Sequence, residues 1–337
     1  GSLTLYALRA GDLKAGGLFA PMSREGSLVL NNLLLATATG SVLLGTLYPL
    51  FLDALTGEKV SVGAPFFNTV FIPLMTPLIV AMAVGPLLAW KRADLAGALQ
   101  RLKFAFAASV LLVLLGWWWL GDGPVLALLG LALFAWLAVG VVVEWAERIG
   151  LGRIPLRDSL NRAMNLPRAA YGMSLAHLGL ALTVLGITAS SAWQHEVLTI
   201  MKPGERAEVG GYTLTFEGAR QVRGPNYTAL QGSFAVAKDG RNLYVLQPET
   251  RRFPQPPMDT TEAAIESSLL GDLYVVIGEP DGSGGYAARL YWKPLVIWIW
   301  IGALFMAVGG FVSLSDRRLR VGAPSRRGAG IAMAPAE

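Results

Sequence analysis

Six long apolar runs constrain the fold of this 337-residue chain more than any other feature of its sequence. A helix needs about 20 apolar residues to cross the hydrocarbon core of a bilayer. Because backbone polar groups inside lipid must be satisfied within their own segment, each run is predicted to form a membrane-spanning helix. The runs are residues 28–52, 65–90, 102–120, 124–145, 169–190 and 293–314. The sequence therefore predicts an α-helical polytopic membrane protein.

The composition supports a bilayer environment. Hydrophobic residues make up 53% of the chain and charged residues only 15%, whereas about 25% of residues are charged in a typical soluble domain. The formal net charge is +5, but the basic residues lie between apolar runs rather than on one folded surface. No nucleic-acid partner is therefore predicted. The chain contains no cysteine, which excludes disulfides and thiolate metal sites within it.

Lysine and arginine are concentrated in loops that fall on one side of the membrane. Cytoplasmic loops retain positive charge in membrane proteins. Of the two short loops predicted for the opposite side, the first holds Lys59 as its only basic residue, and the second holds Asp122 as its only charged residue. Both termini are therefore predicted to be cytoplasmic. The predicted order is a cytoplasmic segment at 1–27, five membrane helices within 28–190, an extracytoplasmic domain at 191–292, a last membrane helix at 293–314 and a cytoplasmic tail at 315–337.

Residues 191–292 differ in character from the rest of the chain. Short alternating stretches separated by Gly and Asn turns predict β-strands. Residues 272–278 and 286–291 predict a hairpin around the turn at 281–285. The predicted fold class is therefore an α-helical polytopic membrane protein with a small, mostly β extracytoplasmic domain inserted before the last transmembrane helix.

Two segments of this β domain are predicted not to be strands. The proline-rich stretch 251–257 is expected to be an extended connector, and residues 261–268 are expected to add a helical turn. The domain contains no catalytic triad, phosphate-binding loop or usefully spaced pair of carboxylates. We therefore interpret it as a docking or clamping surface.

His177 is the residue that most strongly suggests chemistry. It lies inside the fifth run, about 12 Å from the cytoplasmic start of that run at 1.5 Å per residue, and an ionisable side chain at such depth is a functional candidate by default. Mostly small side chains share its helical face at spacings of three, four and seven: Ala170, Met173, Ser174, Ala181 and Val184. Two interpretations remain open. His177 is an axial ligand of haem iron, or it hydrogen-bonds across a close interface between two helices.

Other aromatic and imidazole side chains lie near the predicted ends of the spans. His195 follows the fifth run and is interpreted as a solvated interfacial residue. Trp117, Trp118 and Trp119 close the third run. Tryptophan is favoured at headgroup level, so this group is interpreted as part of an aromatic belt rather than as a ligand platform.

Several motifs, in the same order along nearly the whole chain, closely resemble the CcmF family, the haem lyase subunit of bacterial cytochrome c maturation. They are NNLLL (31–35), LGTLYPL (44–50), GAPFFNT (63–69), GPLLAWK (85–91), AHLG (176–179), TEAAI (261–265), DLYVVIG (272–278) and LYWKPLV (290–296). The Trp-rich segment, the two external histidines and a further transmembrane histidine of that family belong to an earlier half that these residues do not match. The resemblance is therefore to the C-terminal half of the family.

The resemblance implies a specific activity and location. Members of this family are haem lyase (holocytochrome c synthase) subunits that attach haem covalently to apocytochrome c on the periplasmic side of the bacterial inner membrane. The implied partners are the haem chaperone CcmE, CcmH, apocytochrome c and membrane lipid. The implied cofactor is a haem b within the membrane, and His177 matches the later of the two transmembrane axial histidines of the family.

Two other classes of function remain as alternatives. A membrane transporter would use the second run, in which Pro73, Pro77 and Pro86 are expected to kink the helix, but no inverted repeat supports it. A non-catalytic membrane scaffold would use the β domain to dock partners. Haem content separates these alternatives from the haem lyase interpretation, because a transporter or a scaffold should be colourless.

Overall fold

The computed structural model describes residues 1–10, 20–89, 94–120 and 123–316. Asp122 and the predicted cytoplasmic tail from residue 317 onward lie outside the described residues. The described helices are α1 (Ser2–Arg9), α2 (Arg24–Thr56), α3 (Ala64–Val84), α4 (Leu95–Arg101), α5 (Lys103–Leu120), α6 (Val125–Ile149), α7 (Leu156–Met164), α8 (Arg168–Ala192) and α9 (Ile297–Leu314). A short 3-10 turn, Gly85–Leu87, follows α3.

Five of these helices are long and apolar enough to cross a membrane: α2, α3 with its 3-10 turn, α6, α8 and α9. The pair α4 and α5 passes the same test when taken together, although the two helices are bent by 55° at their junction. Helix α4 occupies a stretch that was predicted to be a loop. It follows Asp94, whose carboxylate accepts a hydrogen bond from the Gly97 amide at 3.0 Å and so caps the new helix. The prediction of a polytopic helical membrane protein is confirmed.

The described residues within 1–114 and 135–148 form one compact unit. Its buried core joins the end of α3 to α4 and α5 through Val84, Leu88, Ala98 and Leu102. Trp136 of α6 packs against this core, and its Nε1 donates a hydrogen bond to the Val80 carbonyl oxygen at 3.1 Å. This hydrogen bond links α6 to α3 within the unit.

The second unit comprises residues 115–134 and everything described after residue 148. Its helices α8 and α9 pack through glycines that recur every seven residues, at 172, 179 and 186 on α8 and at 302 and 309 on α9. A Cβ atom added at Gly179 would lie 2.6 Å from the Gly302 carbonyl oxygen, which is too close. Glycine therefore lets the two backbones approach directly, as is common in membrane helix pairs.

The helix pair α8 and α9 continues directly into a pair of strands. Strand β1 begins at His195, three residues after α8 ends, and β10 ends at Pro294, three residues before α9 begins. The two strands are antiparallel, with His195 opposite Trp292. At the other end of the helices, the Asp316 carboxylate accepts a hydrogen bond from the Ala169 amide at 3.1 Å. The β domain is thus joined to the membrane helices by two short connections that lie side by side.

The β domain is a sandwich of two antiparallel sheets. One sheet has the order β1-β10-β9-β8, and the other has the order β2-β3-β4-β6-β7 with β5 paired to β4. The strands are β1 (His195–Met201), β2 (Arg206–Val209), β3 (Tyr212–Arg223), β4 (Thr228–Lys238), β5 (Arg241–Leu246), β6 (Glu249–Pro254), β7 (Pro257–Glu262), β8 (Ala264–Ser267), β9 (Gly271–Pro280) and β10 (Tyr286–Pro294).

Alternate residues of these strands fill the core between the two sheets. Phe216 and Phe234 face each other with ring centroids 4.9 Å apart, and Leu273, Val275 and Ile277 of β9 are fully buried. The period of two in burial along β9 is what the alternating sequence predicted. The prediction of a mostly β domain before the last transmembrane helix is confirmed.

The prediction of a helical turn at residues 261–268 is wrong. Thr260 and Thr261 belong to β7, where they pair with Arg251 and Thr250 of β6, and residues 264–267 form β8 against β9. The stretch 251–257 is extended as predicted over its first part, but it belongs to the β6–β7 hairpin instead of being an isolated connector. Cross-strand pairing outweighs the local tendency of Glu262, Ala263 and Ala264 to form a helix.

Candidate functional site

His177 lies on the face of α8 that points away from α9. An α-helix turns by about 100° per residue, so His177 is about 140° to 180° around the helix from the glycines that contact α9. Those glycines are Gly172, Gly179 and Gly186. The imidazole is half-buried. The His177 side chain therefore lies outside the closest contact between α8 and α9.

The residues that share this face with His177 are covered unevenly. Ala170 and Ala181, on either side of His177 along the helix, are buried, whereas Met173, Ser174 and Val184 are half-buried. The Ser174 hydroxyl donates a hydrogen bond to the Ala170 carbonyl oxygen at 3.1 Å, within its own helix. The face is thus closed at Ala170 and at Ala181 and more open at the level of the imidazole.

His195, Trp117 and Trp118 occupy exposed positions, and the Trp119 side chain lies outside the described part of the chain. His195 is exposed at the start of β1, as expected of a solvated residue. Trp117 is 69% exposed and Trp118 is 89% exposed, which fits side chains that face lipid or headgroups rather than a ligand enclosed by protein. Among the described side chains, His195, Trp117 and Trp118 form no hydrogen bond or ring contact with His177.

Glu144 is a buried acidic residue that the sequence reasoning did not single out. It lies in the last part of α6, and its Oε1 accepts a hydrogen bond from the Arg148 guanidinium one turn later. The Glu144 residue is 4% exposed, and its Oε2 has no hydrogen-bond partner among the residues that the structure describes. The i, i+4 spacing of opposite charges was the available signal for this pair.

A second feature that the sequence reasoning missed is a cleft of about 700 Å³ at one end of the β sandwich. It lies between the turns of two hairpins, and we call it the tip cleft. Its walls are residues 223–228 of the β3–β4 hairpin and residues 252–254 and 257–259 of the β6–β7 hairpin. The signal in the sequence was the pair of proline-containing turns, which alone do not reveal that the turns are neighbours.

Aromatic contacts and ion pairs stabilise the residues that line the tip cleft. The rings of Tyr227 and Phe253 lie 5.4 Å apart, and the Arg251 guanidinium lies 4.6 Å from the Tyr227 ring centroid. Arg252 donates two hydrogen bonds to the Asp259 carboxylate, at 3.0 and 3.1 Å. This pairing holds the pKa of Asp259 below its usual range, so Asp259 is ionised at neutral pH.

Comparison with known proteins finds a family model that matches the β sandwich and relatives that align with nearly the whole chain. A family model described as the CcmF C-terminal beta-sandwich matches residues 192–294. The cytochrome c-type biogenesis protein CycK of Rhizobium meliloti (strain 1021) is 51% identical over 326 residues, which is 97% of this chain and 48% of that protein. The cytochrome c-type biogenesis protein CcmF of Escherichia coli (strain K12) is 39% identical over 322 residues, which is 95% of this chain and 48% of that protein.

A solved structure of the same kind shares the fold. The structure titled Cytochrome c Heme Lyase CcmF matches with a TM-score of 0.66 and 28% sequence identity, covering 88% of this chain and 46% of that one. The chain therefore spans about half the length of the relatives that it matches. Both the membrane helices and the β sandwich lie within the matched residues, because the alignments cover nearly all of this chain. Over nearly its whole length the chain matches about half of the CcmF and CycK cytochrome c-type biogenesis proteins, and its residues 192–294 match the C-terminal β sandwich of CcmF.

Proposed function

We propose that this chain is part of a haem lyase subunit, and that His177 is an axial ligand of a b-type haem within the membrane. Similarity to the CcmF and CycK proteins supports the first statement, because one similar solved structure is titled a haem lyase. The position of His177 on α8, half-buried and turned away from α9, is the observation that carries the second statement. Haem iron takes protein ligands perpendicular to a flat macrocycle, and imidazole is a common one.

The residues near His177 fit such a group. Met173 and Ser174, about one turn before His177 on the same face, are half-buried, so the face is more open at the level of the imidazole than at the buried Ala170 and Ala181. The Ser174 hydroxyl is bonded to its own helix and does not compete for an imidazole nitrogen. The chain's own residues therefore supply one nitrogen ligand on a face with small neighbours. A bound haem b would supply one-electron redox chemistry at membrane depth.

The proposal places the β sandwich in the periplasm and both ends of this chain in the cytoplasm. The distribution of Lys and Arg between the loops supports this orientation. Covalent attachment of haem to apocytochrome c then takes place on the side of the membrane on which the sandwich lies. In that position the sandwich is a surface for the proposed partners, which are the haem chaperone CcmE, CcmH and apocytochrome c.

Absorption spectra of the purified protein test the role of His177. The His177→Ala variant is expected to lose the b-type absorbance of the dithionite-reduced protein, because the iron loses an axial nitrogen. The matched control is His195→Ala, which removes the other histidine of the chain and should leave the spectrum unchanged. Both variants should remain in the membrane fraction. An unchanged spectrum in His177→Ala would rule out the ligand role, and a colourless wild-type protein would favour a scaffold or a transporter.

A further inference from the structure

The tip cleft contains one arginine that is not neutralised by the protein. Arg252 is paired with Asp259, and Arg251 behind Tyr227 is paired with Glu249 at 2.8 Å and with Glu262 at 3.4 Å. The Arg223 guanidinium has no hydrogen-bond or ion-pair partner among the described residues, and Arg223 is exposed. The cleft therefore presents one available positive charge.

Part of the cleft lining near Arg223 is apolar. The rings of Tyr227 and Phe253 are in contact with their planes tilted by 53°, and Met258 is 53% exposed on the neighbouring strand β7. Gly224 has no side chain, so the Tyr227 ring can fold back over the turn, which is closed by a hydrogen bond from the Gly224 amide to the Tyr227 carbonyl oxygen at 2.9 Å. An apolar group that enters the cleft would therefore meet rings that are already ordered.

The cleft is too open to enclose a small molecule. Nine of its twelve lining residues are exposed, and only Gly224, Tyr227 and Phe253 are half-buried. Sites for small molecules usually bury about 70–90% of their ligand. An exposed cleft with aromatic and proline residues in its lining instead resembles the surfaces that bind extended polypeptides.

We propose that the tip cleft binds an extended segment of a partner polypeptide, with an acidic side chain on Arg223 and an apolar side chain against Tyr227, Phe253 and Met258. The available charge of Arg223 favours a carboxylate, and the exposed lining favours a polypeptide segment over an enclosed small molecule. The proposal does not depend on His177 or on haem, because every residue that carries it belongs to the β sandwich.

Binding of synthetic peptides to the full-length protein in detergent tests the proposal. The probe is a dye-labelled peptide in which leucine, proline and glutamate alternate, and fluorescence anisotropy gives its dissociation constant. We expect Arg223→Glu to weaken binding by about fivefold or more, and Tyr227→Ala to weaken it through loss of the apolar wall. Arg241→Glu is the matched control, because Arg241 is exposed on the same domain but lies outside the cleft.

Each outcome decides for or against the proposal. Weaker binding in Arg223→Glu but not in Arg241→Glu, together with weaker binding of a peptide with glutamine in place of glutamate, supports it. Equal loss in the two arginine variants, equal binding of the glutamine peptide, or no binding at all overturns it. Displacement of the peptide by citrate at the same carboxylate concentration also overturns it, because the cleft would then be a site for small anions. The reduced absorbance spectrum of Arg223→Glu should match the wild type.

Discussion

Arg223 and Arg252 lie in the same cleft but differ in what they can offer a partner. Arg252 donates two hydrogen bonds to Asp259, whereas Arg223 has no such partner among the described residues. An arginine that is already paired contributes little to a new interaction, since the partner's carboxylate would have to displace Asp259. The charge of a single aspartate therefore sets how many cations the tip cleft presents.

Removing that aspartate should strengthen binding of the acidic peptide. In Asp259→Asn the Arg252 guanidinium loses its ionised partner, so the cleft presents two available cations, and we expect binding about twofold to fivefold tighter in the same anisotropy measurement. The control is Glu208→Gln, which removes one negative charge from an exposed position of the same domain outside the cleft lining. Equal tightening in the two variants would mean that net charge, rather than Arg252, is responsible.

Some of these residues could be predicted from the sequence and others could not. His177 could be found because an ionisable residue inside an apolar run is conspicuous from order alone. The tip cleft could not be found, because Tyr227 and Phe253 are 26 positions apart and meet only when β4 pairs with β6. Glu144 lies near the end of its apolar run, where it is not conspicuous, although Arg148 one turn later indicates an i, i+4 ion pair.

Among helices and strands, too, the sequence predicts which elements form but not which of them pack together. Runs of apolar residues predict that α8 and α9 exist, but the two helices are separated by the whole β sandwich in the sequence. Their pairing depends on matched glycines, and the seven-residue spacing of Gly172, Gly179 and Gly186 gains meaning only beside Gly302 and Gly309. The false helical turn at 261–268 has the same origin, since its true partners are residues of β6 and β9.

A bulky side chain in the glycine seam should separate α8 from α9. In Gly179→Leu the added atoms meet the backbone of α9 near Gly302 and Met306, and overpacking of this kind costs about 1–3 kcal/mol. We expect a lower melting temperature by circular dichroism in detergent. Gly310→Leu is the control, because a Cβ at that position of α9 meets no atom within 4 Å. Equal melting temperatures for both variants and the wild type would show that close backbone approach is not needed.

At the scale of the whole molecule, membrane topology depends on the bent pair α4 and α5. The five unbroken candidate spans and this pair give six crossings if the pair crosses the bilayer and five if it does not. With six crossings, the loop between α2 and α3 lies on the same side as the β sandwich, and the loop between α6 and α7 lies on the other side. With five, the loop between α2 and α3 lies opposite the sandwich.

Labelling of single cysteines distinguishes these two topologies, because the chain has no cysteine of its own. The three sites are Lys59→Cys between α2 and α3, Leu151→Cys between α6 and α7, and Arg241→Cys in the sandwich, all at exposed positions. We expect a membrane-impermeant maleimide to label Lys59→Cys and Arg241→Cys in intact spheroplasts and Leu151→Cys only after permeabilisation. Positive charge in the α6–α7 loop favours retention in the cytoplasm, which is the physical reason for this pattern. Labelling of Lys59→Cys and Leu151→Cys from outside, with Arg241→Cys protected, would show that α4 and α5 do not cross and that the sandwich faces the cytoplasm.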